Sequence, residues 1–190
     1  MSYIPPSAPP PTQGRWLARF RLRHCKSVGR GCRVLGKIWV HGRGKIEVGE
    51  NVLFDARLAP IELQAKTHAT LRIGNNCVIE GGSSLEAVDS IAVGDGCHLG
   101  PFVKIMDNHH HNSTGNRKER PPSSPVSLGP NVKVGAHSIL LPGAQLGEGA
   151  LLEERTVVSR KIPAGAHIQG NPPRIVKKET TPPKPEEPST

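Results

Sequence analysis

Residues 128–158 read LGPNVKVGAHSILLPGAQLGEGALLEERTVV. Leu128, Val134, Leu140, Leu146, Leu152 and Val158 place an aliphatic side chain at every sixth position without a miss. Four positions after the first five of them come Val132, Ser138, Ala144, Ala150 and Thr156, all small or β-branched, and Gly129, Gly135 and Gly147 directly follow three of the aliphatics. A helix repeats every ~3.6 residues and a strand every ~2, so neither produces a strict six. A short strand plus a tight turn does, and three such units close one triangular coil that stacks on the next. The aliphatic residue then points inward, the small residue fills the corner, and Gly, Asn or Asp serves the turn.

Outward from this stretch the same phase is expected in Ile73, Ile79, Leu85 and Ile91, with Cys77 and Ser83 at the small position. After a slip of two residues it continues as Val93, Leu99 and Ile105, with Cys97 and Val103. A noisier run holds Val28, Val34 and Val40, then Val48 and Phe54. A β-sandwich would alternate irregularly and need more hairpin signals. The expected fold is therefore all-β: a parallel β-helix over residues 28–178, preceded by a basic capping segment at 15–27. Residues 1–14 and 179–190 are rich in proline, which removes backbone donors, and are expected to be disordered tails.

Composition agrees. The 190 residues include 21 Gly and 19 Pro but only six aromatic residues, so the core must rest on Val, Ile, Leu and small residues. No apolar run approaches the ~18 residues of a membrane span, and the start does not read as a signal peptide. Four cysteines without a C-x-x-C pair give no disulfide scaffold, and a cytoplasmic home is expected.

Function is expected where the repeat is interrupted. The largest break, 106–126, is too polar for the core and is expected to project as a loop; it opens with His109, His110 and His111. Imidazole takes a proton near neutral pH and also ligates metals. Adjacent residues in extended chain point alternately, and no spaced histidine pair is present, so metal is not expected. Asp107 is read as an exposed loop carboxylate, with orientation of a neighbouring histidine as the alternative.

The stretch Gly-Pro-Phe-Val-Lys-Ile-Met-Asp-Asn-His-His-His (100–111) resembles the approach to the catalytic histidine in hexapeptide-repeat acyltransferases, notably the galactoside, maltose, nodulation-factor and lipopolysaccharide O-acetyltransferases. Val-Lys-Val-Gly-Ala-His-Ser-Ile-Leu-Leu-Pro-Gly-Ala (132–144) is similar to the penultimate coil of that family, and the run 157–177, with its Gly-Asn-Pro-Pro-Arg, is similar to its closing signature. The resemblance implies a left-handed coil and a homotrimer with active sites between subunits. It also implies acetyl-CoA as co-substrate and direct transfer to a sugar or polysaccharide hydroxyl. It puts the general base at His110, with His111 in reserve, and CoA contacts at Ala136, Ser159, Arg160, Arg174 and Lys177. Glu80 aligns with an acceptor-binding Asn of the sugar acetyltransferases, and Asp107 and Asn108 are expected beside the acceptor. Leu-Glu-Glu-Arg-Thr (152–156) departs from the family's usual Ile-Gly-Ala-Gly-Ser-like turn. The alternatives are N-acetylation of an amino sugar or antibiotic, and a metal-dependent hydratase or bare trimeric scaffold.

The charge is uneven. Residues 1–46 hold ten Lys and Arg and no acid, whereas the remainder holds 15 basic and 16 acidic residues. No stacking platform or binding motif accompanies the excess, so nucleic acid is not expected. Arg15 to His24, where arginines alternate with Phe20 and Leu22, reads as an edge strand or short amphipathic segment. It would either cap the first coil or touch an anionic membrane surface at its inner face.

Overall fold

The computed structural model describes residues 15–109 and 121–176, so the proline-rich tails, His110, His111 and Lys177 lie outside the described residues. Seven parallel strands, Ser27–Val28, Lys45–Val48, Thr70–Ile73, Ser90–Val93, Val126–Leu128, Gln145–Leu146 and Lys161–Ile162, stack in chain order as one face of a prism. A second sheet of twelve strands makes the other two faces. It wraps an edge because Leu53–Ala65 runs along both, pairing first with Val78–Glu80 and then with Ser84–Ala87. The second face continues through His98–Leu99, Lys133–Val134, Leu151–Leu152 and His167–Gln169, and the third through Lys104–Met106, Ile139–Leu140 and Val157–Val158.

Leu128 lies beside Leu146, Val134 beside Leu152 and Leu140 beside Val158, each pair eighteen residues apart, so three hexads close one coil. The inward rows are fully or almost fully buried, from Phe54, Ile79 and Leu99 on the second face to Leu63, Leu85, Ile105 and Leu140 on the third. Each such side chain contributes roughly 1.5–3 kcal/mol of burial. The slip of two residues sits at one corner: Ile73 pairs with Val93 and Leu71 with Ile91, so Ile91 belongs to the row of Leu71, and Val88 and Asp89 are the added residues. In the early coils the register breaks between Gly36 and Ile38, because Arg57 to Pro60 bulge from the facing strand.

The edge leading from the first face to the second is unbroken. Asn51, Asn76 and Asn131 turn it with φ of 56, 55 and 58°, a conformation Asn tolerates because its short side chain bonds locally. Side chains tie coil to coil along it: the Asn75 amide oxygen accepts the Glu50 N–H at 2.8 Å, and the Asp95 carboxylate accepts the Asn75 N–H at 2.7 Å.

The segment before the first coil is a helix, α1 (Arg15–Arg21), rather than an edge strand. Ala18 and Leu22, four residues apart, share one face and are buried together, leaving Arg19 and Phe20 exposed. At the other end Arg174–Ile175 returns antiparallel along His167–Gln169 and covers the last coil. All four cysteines are free of disulfides.

Candidate active site

The long break opens at the edge between the third and first faces, after Lys104–Met106 and before Val126–Leu128. Its neck is built from buried polar groups. Asp107 has no solvent exposure, and its two carboxylate oxygens accept the Val88 and Asp89 N–H groups at 2.8 Å each. This corrects the reading of Asp107 as an exposed loop residue. A polar side chain in a polar segment gives no hint of burial, but the two residues added at the preceding corner create amide donors that need an acceptor. The Asp107 carbonyl in turn accepts the Ser124 N–H at 2.8 Å. Asn108, also without exposure, donates from its amide nitrogen to the Pro121 carbonyl at 2.7 Å and to Ser123 Oγ at 3.0 Å. Both ends of the histidine segment are thus held together where they leave the prism.

Further along the same edge the Ser124 carbonyl accepts the Gly143 N–H at 3.0 Å, and a Cβ on Gly143 would lie 4.0 Å from the Ser159 carbonyl oxygen. Ser159 and Arg160 are exposed there. The Arg160 guanidinium donates to the Pro173 carbonyl at 3.0 Å, which brings the Ser159–Arg160 pair to the exposed Arg174. Three of the expected CoA-contacting residues therefore gather at the last coil.

Ala136 does not join them. It is buried at the edge between the second and third faces, beside a groove of about 250 Å³ on the second face. That groove also holds Glu80, His98, Lys133, Glu153 and Glu154. Its floor must be bare, since a Cβ on Gly135 would meet the Glu154 nitrogen at 2.6 Å and the Glu153 carbonyl carbon at 2.7 Å. Glu80, only 9% exposed, pairs through Oε1 with His98 Nε2 at 2.6 Å, and Glu153 pairs with His167 at 2.5 Å. His98 was not singled out from the sequence. The available signal was spacing: Glu80 and His98 are eighteen residues apart, about one coil, as are Val134 and Leu152. Among the described residues no group of three or more His, Cys, Asp or Glu could hold a metal ion, and no helix is long and apolar enough to cross a membrane.

No family model matches the sequence. WbbJ of Escherichia coli (strain K12), named for O-acetyl transfer in lipopolysaccharide biosynthesis, is 26% identical over 172 residues, 85% of this chain and 83% of its own. A 2,3,4,5-tetrahydropyridine-2,6-dicarboxylate N-acetyltransferase of Staphylococcus aureus (strain JH9) is 36% identical over 59 residues, but the chain spans only 25% of its length. Among solved structures, AntD, an N-acyltransferase from Bacillus cereus in complex with dTDP and coenzyme A, superposes with a TM-score of 0.70. The match is 22% identical and covers 84% of this chain and 89% of that one. The hexapeptide-repeat acetyltransferase VCA0836 from Vibrio cholerae gives a TM-score of 0.59 at 19% identity, covering 68% and 71%. The chain thus shares the β-helix fold of these solved acyltransferases and is similar to WbbJ along most of its length.

Proposed function

We propose that the chain transfers an acetyl group from acetyl-CoA to a sugar hydroxyl of a polysaccharide, lipopolysaccharide or glycolipid precursor, in the cytoplasm. The observation that carries this reading is the neck, because buried Asp107 and Asn108 fix both roots of a segment that opens with three histidines. In this reading they position the segment rather than touch the acceptor. His110, with His111 in reserve, takes the proton of the attacking hydroxyl. The acceptor oxygen bonds to the acyl carbon, the carbon–sulfur bond breaks, and the thiolate regains the proton from the imidazolium, with no acyl-enzyme. Ser159, Arg160, Arg174 and Lys177 would hold the CoA phosphates, since guanidinium and ammonium groups suit phosphate oxygens.

Ala136 and Glu80 border a different face from Ser159 and Arg160, so one chain does not bring the two halves of the expected site together. A homotrimer, with an edge of one copy against a face of the next, would do so. A second reading has support of its own: Glu80, Glu153 and Glu154 give the groove beside Ala136 three carboxylates, which suit an ammonium and hence N-acetylation of an amino sugar. Release of free CoA thiol from acetyl-CoA, measured with neutral and amino sugars as acceptors, tests both. Loss of a general base should lower kcat by at least about 100-fold in His110→Ala or in His111→Ala. Unchanged turnover in both variants would sink the assignment.

A further inference from the structure

Backbone hydrogen bonds tie each coil to the next, with amides and carbonyls of both coils taking part: the Asn51 amide donates back to the Arg30 carbonyl at 2.7 Å. Lys26, Gly29 and Arg33 donate their amides to the carbonyls of Ile46, Val48 and Val52 one coil further on, at 2.8, 2.9 and 2.9 Å. The first coil ends the stack, so its outward backbone groups, carbonyls among them, need partners from outside the ladder. Arg21 meets two of them, donating to the Val34 carbonyl at 3.2 Å and also to that of Gly36. Capping the ladder thus accounts for one arginine.

It does not account for the others. Arg19, Arg23, Lys26 and Arg30, all exposed, line a cavity of about 470 Å³ between α1 and the first coil. Ala18, Leu22 and Val28 supply its apolar wall, and no acid lines it. Arg23 donates to the Phe20 carbonyl at 3.2 Å and lies over the Phe20 ring, yet among the described residues none of the four cations has a salt bridge. Glu50 stands near Cys32 at the same end but outside the lining. Four like charges around one concavity repel one another and focus a positive potential that an anion relieves. Phe20, outside the lining but under the Arg23 guanidinium, stands 67% exposed on the outer side of α1.

We propose that this cavity is a phosphate-binding site, taking the phosphate of a soluble ester or of an anionic lipid headgroup. The fork of a guanidinium matches phosphate oxygens, and Arg19, Arg23 and Arg30 bring three forks to one opening. If the phosphate belongs to a lipid, Phe20 lies where an aromatic ring would enter the interface beside the headgroup. The site is independent of the acyl-transfer reading, because it is at the opposite end of the prism from Arg160 and Arg174.

The test uses the full chain and two probes: pyrophosphate followed by calorimetry, and sedimentation with phosphatidylcholine vesicles made with or without phosphatidylglycerol, at low salt. Binding is expected to one probe at least, and the double variant Lys26→Gln/Arg30→Gln should weaken it at least about tenfold, since a cation near an anionic surface is worth about fivefold. Both residues are exposed, and an unchanged circular dichroism melt would confirm that the fold is kept. Phe20→Ser separates the sources: it should leave pyrophosphate binding intact and reduce vesicle retention only if the ligand is a headgroup. No binding of either probe, or binding that the double variant leaves unchanged, overturns the proposal.

Discussion

Replacing Asp107 probes the neck most directly. The carboxylate has no exposure and accepts two backbone N–H groups at 2.8 Å. A hydrogen bond to a charged group contributes about 1.5–3 kcal/mol, and a buried donor left without a partner costs about as much. Asp107→Asn keeps one acceptor oxygen but sets an amide nitrogen against the other N–H, so a loss of about 1.5–3 kcal/mol is expected. Asp107→Ala orphans both amides, and about 3–5 kcal/mol follows if no water enters. Equilibrium urea unfolding reads these values, at one fixed protein concentration because any self-association would shift the midpoint. The turnover assay gives a second reading: kcat should fall while KM for acetyl-CoA changes little, because Arg160 and Arg174 are organised by Pro173 and not by the neck. An Asn variant within about 0.5 kcal/mol of the parent would refute the assignment of Asp107 as the clasp of the corner.

Two further outcomes are expected. Thr156 Oγ1 is buried without a hydrogen-bond partner among the described residues, so Thr156→Val, of nearly equal volume, should raise the unfolding free energy by about 1 kcal/mol, whereas a loss would show that the hydroxyl is satisfied. Burial, then the neighbouring Cys32, pushes the Cys25 thiol up to about 12. At pH 8 its thiolate fraction is on the order of 10⁻⁴, and iodoacetamide labelling should be about a thousand times slower than for a free thiol and rise about tenfold per pH unit until that value is reached. Rapid labelling at pH 8 in the folded protein would contradict this.

The coils were legible because the period is strict where nothing else is asked of the chain. From Leu128 to Val158 each sixth residue does fall on an inward row. Legibility failed where residues are added at corners. Ile91 keeps the count of six from Ile73 yet stacks on Leu71, since Val88 and Asp89 lengthen that coil. The bulge at Arg57 to Pro60 has the same effect in the early coils. α1 was half legible: Ala18 and Leu22 fit a helix, but the alternation of arginines fits a strand equally well. The site was less legible than the scaffold because its contacts join residues one coil apart. Glu80 meets His98 only once the coil length between them is known. The grouping of Arg160 with Arg174 was readable from the closing signature, but their separation from Ala136 onto another part of the prism depends on which edge each corner occupies.

The unbroken asparagine edge has a consequence for how such a molecule can vary. Added residues are found at the other two edges: Arg57 to Pro60 at one, Val88–Asp89 and the histidine segment at the other. The edge through Asn51, Asn76 and Asn131 carries none, and its side-chain bonds repeat from coil to coil. It works as a keel that keeps the winding constant, and the rows beyond each of these three excursions stay in step. New recognition segments can be grafted at two corners of this protein without disturbing the third.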